Sequence, residues 1–302
     1  MTSWPCMLGG ILVVLEATAQ PPIAIMDMGP ARSSKSLVEL KESSVFFEIR
    51  AGLIFLEATL NGVQGSYVVD TGAPGLVINR KPEKTGELSG RGVTGSMEVE
   101  EVIVEQFSIG AARFQKLKAY KIDLGYLEDR LQCEIDGLIG YDVLKEMETV
   151  LDYPGRVITF LPLNGPVTLE DKRAGYVGFS LVNHIPVIDA QLGKREIRLG
   201  LDTGAGANVL NTFLGKPYQN KQAAQGKVRG ADRNLRRSAM VQAPVVIEGY
   251  EENGKALDYW LMDLSQIRND LDYSIDGLLG FPFLKQGKWS IDYVAQRIYF
   301  WN

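Results

Sequence analysis

Two carboxylates recur in the same setting. Val68-Val69-Asp70-Thr71-Gly72-Ala73 returns as Gly200-Leu201-Asp202-Thr203-Gly204-Ala205, an offset of 132 residues. Other reactive side chains are scarce. There is one histidine, His184, and there are two cysteines, Cys6 and Cys133. That is too few for a zinc site built from His and Cys, and it allows at most one disulfide. Any triad with a histidine base would have to use His184. Carboxylates are left as the groups able to move protons. An apolar strand can deliver an Asp at its end, the following glycine permits a tight turn, and the threonine can hydrogen-bond across to its counterpart. Two such loops would place two carboxylates side by side at a pseudo-twofold axis. One could then act as a base while the other donates a proton.

The elements that must position them are also duplicated. Ile135-Asp136-Gly137-Leu138-Ile139-Gly140 returns as Ile275-Asp276-Gly277-Leu278-Leu279-Gly280, offset 140. The stretch from Val150-Leu151-Asp152-Tyr153 to Val157-Ile158-Thr159-Phe160 returns from Ser290-Ile291-Asp292-Tyr293 to Arg297-Ile298-Tyr299-Phe300, again at 140. The order is the same in both halves, with eight extra residues in the second between the first two blocks. Each half reads as mainly β. Leu53 to Leu60 and Tyr67 to Val69 are apolar runs with turns expected at Asn61-Gly62 and Gln64-Gly65, and Val99 to Ile109 is rich in β-branched residues. A short helix is expected after each glycine block, at Tyr141 to Glu148 and Phe281 to Gln286. Each Leu-apolar-Gly block can run beside an Asp-Thr-Gly turn and hold it.

On these motifs the chain resembles the aspartic peptidases of the pepsin and retropepsin type, and in particular a single chain with two retropepsin-like lobes. The resemblance spans nearly all of residues 44 to 302. It implies a mainly β fold of two homologous acid-protease β-barrel lobes related by a pseudo-twofold axis. It implies an endopeptidase needing neither metal nor cofactor. Asp70 and Asp202 match the catalytic pair. Thr71 and Thr203 match the threonines that brace the two loops, and Gly72 and Gly204 the glycines that follow. Gly140 and Gly280 close the supporting strands. Two carboxylates about 3 Å apart cannot easily both ionise, so they share a proton across a bound water. Which aspartate is the base stays open, because such a pair titrates as a unit. A non-catalytic peptide-binding or scaffold module of the same fold is the alternative.

The resemblance further implies flaps over the cleft. The candidates are Ser89 to Ser96 and Gly226 to Ala239. Neither holds the tyrosine of pepsin flaps, which points to the retropepsin branch. The second is basic, with Lys227, Arg229, Arg233, Arg236 and Arg237, and reads as a solvated hairpin or as an attractor of acidic peptide segments. Alanine after each Asp-Thr-Gly offers no hydroxyl to the carboxylate, so activity is expected at mildly rather than strongly acid pH.

Hydrophobic residues at 45% of the 302 and charged residues at 23% suit a folded chain of about two domains. A net charge of −5 argues against a general nucleic-acid binder. No apolar run approaches the roughly 20 residues of a membrane helix, so stable membrane insertion is not expected. Met7 to Leu15 followed by Ala17-Thr18-Ala19 resembles a secretory signal, although no Lys or Arg precedes Arg32. The alternative is a buried N-terminal strand. The expected organisation is a signal peptide over 1–19, an N-terminal arm over 20–43, lobe 1 over 44–165, a linker over 166–174 and lobe 2 over 175–302. Export to the periplasm or outside the cell would follow, as would a peptide or protein substrate and a monomer with its lobes paired within the chain.

Several motifs are read as structural. Gly90 to Gly95 has dinucleotide-fingerprint letters but precedes a strand-like run. Gly249 to Lys255 has phosphate-loop spacing, but Ala256 stands where Ser or Thr is required, and Asn253-Gly254 reads as a hairpin turn. His184 is expected in a strand over Leu181 to Val187 as a satisfied structural histidine. Cys133 is expected as a small buried thiol. Asp136, Asp276, Asp152 and Asp292 are expected to bond turns and loops.

Overall fold

The computed structural model describes residues 37–80, 99–163, 173–219, 225–229, 235–250, 256–264 and 275–301. The expected signal segment, most of the linker, the first flap candidate and the Asn253-Gly254 turn lie outside the described residues.

The first half runs β1 (Leu37–Glu39), β2 (Ser43–Phe46), β3 (Glu48–Arg50), β4 (Leu53–Leu60), β5 (Val63–Val69), β6 (Leu76–Asn79), β7 (Glu100–Ile109), β8 (Ala112–Ile122), helix α1 (Gly125–Leu131), β9 (Gly137–Ile139), helix α2 (Tyr141–Leu144), β10 (Glu148–Asp152) and β11 (Val157–Leu161). The second runs β12 (Arg173–Gly178), β13 (Ser180–Val182), β14 (Ile185–Leu192), β15 (Arg195–Leu201), β16 (Val209–Asn211), helix α3 (Thr212–Gly215), β17 (Gln225–Arg229), β18 (Leu235–Ala243), β19 (Val245–Val246), β20 (Leu257–Met262), β21 (Gly277–Leu279), helix α4 (Phe281–Leu284), β22 (Lys288–Asp292) and β23 (Arg297–Trp301). The molecule is mainly β and built of two homologous lobes.

In lobe 1, β4, β5, β9, β6, β8 and β7 pair in turn, and β7 pairs back to β4, which closes a barrel. In lobe 2 the corresponding path is β14, β15, β21, β16, β20 and β18, and β19 returns to β14. The hairpin between β4 and β5 turns at Asn61-Gly62, both at positive φ, which is the backbone a two-residue hairpin requires. Gln64-Gly65 is not a second turn. It lies inside β5, paired with Ala58 and Thr59.

Below the barrels lies a six-stranded sheet in the order β12-β23-β22-β10-β11-β2. Its order reads the same from each lobe outward, and β10 meets β22 at the centre with Val150 opposite Ser290. Buried apolar residues from both halves form one core, from Ile54 and Leu76 through Leu151 and Trp289 to Leu199 and Leu279. This packing fixes one lobe against the other, and removing apolar area of this extent from water is the main favourable term of such a fold.

Four expectations are refined by the structure. The helix after Gly140 stops at Leu144, and Glu148 begins a strand. The Glu148 carboxylate is held there by Arg173 at 2.8 Å and by the Ser290 hydroxyl at 2.6 Å, partners from the other half. Likewise α4 ends at Leu284, short of Gln286. Cys133 is half-buried rather than buried. The segment from Leu37 to Ser43, expected in the arm, contributes β1, which pairs with β8.

Candidate active site

Each Asp-Thr-Gly turn follows a strand wedged between two others. β5 runs parallel to β9 and β15 parallel to β21, so Leu138-Ile139 and Leu278-Leu279 lie alongside Val68-Val69 and Gly200-Leu201. Asp70 N–H donates to Ile139 O and Asp202 N–H to Leu279 O, both at 3.0 Å. These bonds hold the end of each strand where its carboxylate leaves it. Glycine is required behind each turn. A Cβ on Gly140 would fall 2.4 Å from Ala73 O, and one on Gly280 would fall 2.4 Å from Ala205 O.

The two turns then lock together. Thr71 N–H donates to Thr203 Oγ1 and Thr203 N–H donates to Thr71 Oγ1, each at 3.0 Å. Thr71 Oγ1 donates onward to Leu201 O at 2.9 Å, and Thr203 Oγ1 to Val69 O at 2.8 Å. Each hydroxyl thus accepts from the opposite turn and donates to the opposite strand. All four groups are buried, so leaving any one unpaired would carry a desolvation cost.

This lock brings Asp70 and Asp202 face to face. Gly72 N–H donates to Asp70 Oδ1 at 2.9 Å and Gly204 N–H to Asp202 Oδ1 at 2.8 Å. Asp70 lies against the other loop, since a Cβ on Gly204 would stand 2.4 Å from its carboxyl carbon. Asp70 is 4% exposed and Asp202 fully buried. Asp202 Oδ2 makes no hydrogen bond of ordinary geometry to a described residue, although each carboxyl is near enough to shift the proton affinity of the other. Burial pushes both above the usual carboxylate range. Asp202 is pushed further, because the charge of Asp70 adds to its burial. The hydrogen bonds that Asp70 receives oppose its rise.

An aromatic layer carries the same symmetry. Phe47 meets Tyr153 edge-on at 5.8 Å, and Phe179 meets Tyr293 edge-on at 5.8 Å. Tyr141 packs on Tyr293 across the lobes and Tyr153 packs on Phe281. Burial raises the phenols of Tyr153 and Tyr293, and the neighbouring aspartates raise them further.

The remaining expected residues fall as follows. Asp136 Oδ2 accepts from Ser66 N–H at 2.8 Å and Asp276 Oδ2 from Arg198 N–H at 3.0 Å. Asp152 and Asp292 accept from the turns after β10 and β22. The second flap candidate is the β17–β18 hairpin. Lys227, Arg229, Arg236 and Arg237 occupy its strands, and Arg233 lies outside the described residues.

His184 corrects the sequence expectation. It sits in the turn between β13 and β14, not within a strand, and its Nε2 lies 2.8 Å from Gly72 O of the first Asp-Thr-Gly turn. Two further residues escaped the sequence reading. Asn208 is fully buried and its Oδ1 accepts from Gly280 N–H at 2.9 Å. Glu148 anchors the central sheet. For Asn208 the available signal was an amide set among small and apolar residues, Ala207 and Val209-Leu210; Glu148, close to Glu146 and Thr149, offered none.

An aspartyl protease family model matches residues 56–143, from β4 into α2, and so takes in Asp70-Thr71-Gly72 and Gly140. That part of the chain is aspartyl-protease-like. No curated protein sequence matches the chain. Among solved structures, the chain is similar to conglutin gamma, a basic 7S globulin from lupine seeds. The TM-score is 0.50 at 11% identity, over 87% of this chain and 95% of that one. Basic 7S globulin from soybean aligns over the same shares at 11% identity with a TM-score of 0.49. At this identity the lupine likeness speaks for the fold alone.

Proposed function

We propose that the chain is an aspartic endopeptidase whose one active site takes Asp70 from lobe 1 and Asp202 from lobe 2. The observation that carries this reading is the reciprocal threonine lock, which sets two buried carboxylates against each other at the junction of the lobes. A proton shared by such a pair leaves one carboxylate able to take a proton from water while the other gives one to the substrate. The water oxygen bonds to the scissile carbonyl carbon, its proton passes to the ionised aspartate, and the carbonyl oxygen receives the proton of the neutral one. The resulting diol collapses with cleavage of the C–N bond. The leaving nitrogen takes the proton first removed from water, and a diol hydroxyl returns a proton to the dyad. The sum is one peptide bond and one water converted to an acid and an amine, with one proton again shared.

A second reading is a peptide-binding or scaffold module without turnover. One observation favours it: Asp202 is fully buried. A digest of a mixed peptide library at pH 4 to 7, with and without pepstatin, separates the two. The endopeptidase reading expects internal cleavages that pepstatin suppresses. Folded protein that binds peptides and cuts none would overturn it in favour of the module.

A further inference from the structure

The two Asp-Thr-Gly turns repeat the same sequence, yet His184 of the second half bonds the first turn. His184 caps the turn between β13 and β14 and is 6% exposed. Its Nε2 is 2.8 Å from Gly72 O. A carbonyl oxygen only accepts, so Nε2 carries the proton and donates. The position 132 residues earlier is Gly52, at φ +83°, packed directly against the second loop: a Cβ there would lie 3.1 Å from Gly206 Cα and 3.2 Å from Phe281. Lobe 1 therefore offers the second Asp-Thr-Gly turn no side-chain donor from this place.

The bond matters because of which carbonyl it engages. Gly72 C=O and Ala73 N–H belong to one peptide unit. Ala73 N–H closes the turn on Asp70 O at 3.0 Å. A donor on the carbonyl polarises the unit and strengthens its N–H as a donor. The Asp70 carboxylate thus accepts from Gly72 N–H inside a turn that a side-chain donor tightens, and both favour its charged form. At Asp202 the same backbone bonds recur, Gly204 N–H to Oδ1 at 2.8 Å and Ala205 N–H to Asp202 O at 3.2 Å, without a side-chain donor from the Gly52 position, and Oδ2 is buried without an ordinary hydrogen bond to a described residue.

We propose that His184 is a positioning residue that places the shared proton on Asp202 and leaves Asp70 as the ionised base. This rests on the endopeptidase reading for its catalytic meaning, but the location of the proton does not. Among the described residues, Asp70 precedes by two positions the carbonyl that His184 engages, Tyr141 has its ring 6.5 Å from the imidazole, Tyr293 lies beyond it at 5.1 Å from Tyr141, and the Lys145 ammonium is 4.9 Å from the Tyr141 ring.

The test is a pH titration of the full chain with 13C-carboxyl aspartate, followed by NMR, with the dyad signals assigned from Asp70→Asn and Asp202→Asn. In the wild type Asp70 should ionise at lower pH than Asp202. His184→Phe keeps a ring and removes the donor, and it should move the Asp70 transition up by about half a pH unit. His184→Gln, whose amide reaches about as far as Nε2, should bring it back. The acid limb of kcat/KM should follow the same shifts with KM little changed. Asp202 ionising first, or an Asp70 transition unmoved in His184→Phe, would overturn the proposal. Should His184→Phe not fold, the wild-type order alone decides. A wild type that cleaves nothing would remove the endopeptidase reading, while the titration would still locate the proton.

Discussion

The two Asp-Thr-Gly loops differ least where they touch and most where the rest of the molecule touches them. Their threonine bonds match within 0.1 Å, from 2.9 and 2.8 Å for the hydroxyl donors to 3.0 Å for both backbone donors. The surroundings diverge. His184 leans on the first loop, while Gly52 and Phe281 pack by the second. Asn208 supports Gly280, while Gly140 N–H is taken by the backbone of Gly75. The central sheet breaks symmetry too. Glu148 carries a largely buried ion pair to Arg173 of β12, and its counterpart Lys288 lies over the Trp301 ring. The repeated sequence supplies a matched pair of loops, and the unmatched neighbours are what can make two identical acids unequal.

The largest stability effect is expected where the lobes are joined asymmetrically. Removing one partner of a buried ion pair strands the other, at a cost of about 3–5 kcal/mol. Glu148→Ala leaves the Arg173 guanidinium over Tyr299 without its carboxylate and also takes the acceptor from Ser290. Urea unfolding should show a loss of that order, and a loss below about 1 kcal/mol would mean the lobes do not depend on this pair.

The next effect should be symmetric. Thr71→Val and Thr203→Val each keep the shape, remove one buried donor and strand one backbone N–H, for about 2–3 kcal/mol each. The two losses should agree closely, and the double variant should cost less than their sum because the bonds form one network. Unequal losses would show that the lock is not shared evenly.

The smallest effect is a pH dependence. Burial, with the charge of Asp70, raises the proton affinity of Asp202 in the folded chain. The folded state then holds a proton that the unfolded state releases above about pH 4. The stabilisation is complete below that pH and is lost as pH rises through the folded value. Thermal melts from pH 4 upward should therefore show a falling Tm in the wild type and a flatter curve in Asp202→Asn. Parallel curves would contradict the burial of an easily protonated Asp202.

Much of this site was legible because its parts are local and repeated. Asp70-Thr71-Gly72 and Gly137-Leu138-Ile139-Gly140 are short runs whose roles follow from strand ends, tight turns and close backbone approach. The duplication also announced the pseudo-twofold sheet. The asymmetric parts were not legible in that way. His184 meets Gly72 across 112 residues and Glu148 meets Ser290 across 142, and no local pattern encodes either contact. Helix α1 was hidden for another reason. It starts at Gly125 behind Leu124, without a side-chain cap, so its first turn reads as a loop.

The central claim is one site, made by both aspartates of one chain. The most direct measurement compares peptide cleavage by the wild type, Asp70→Asn, Asp202→Asn and an equal mixture of the two variants. The account predicts cleavage by the wild type, a loss of about 10³-fold or more in each variant with the fold retained, and no recovery on mixing. Activity in either variant would contradict the paired mechanism. Activity regained on mixing would show that the site forms between chains.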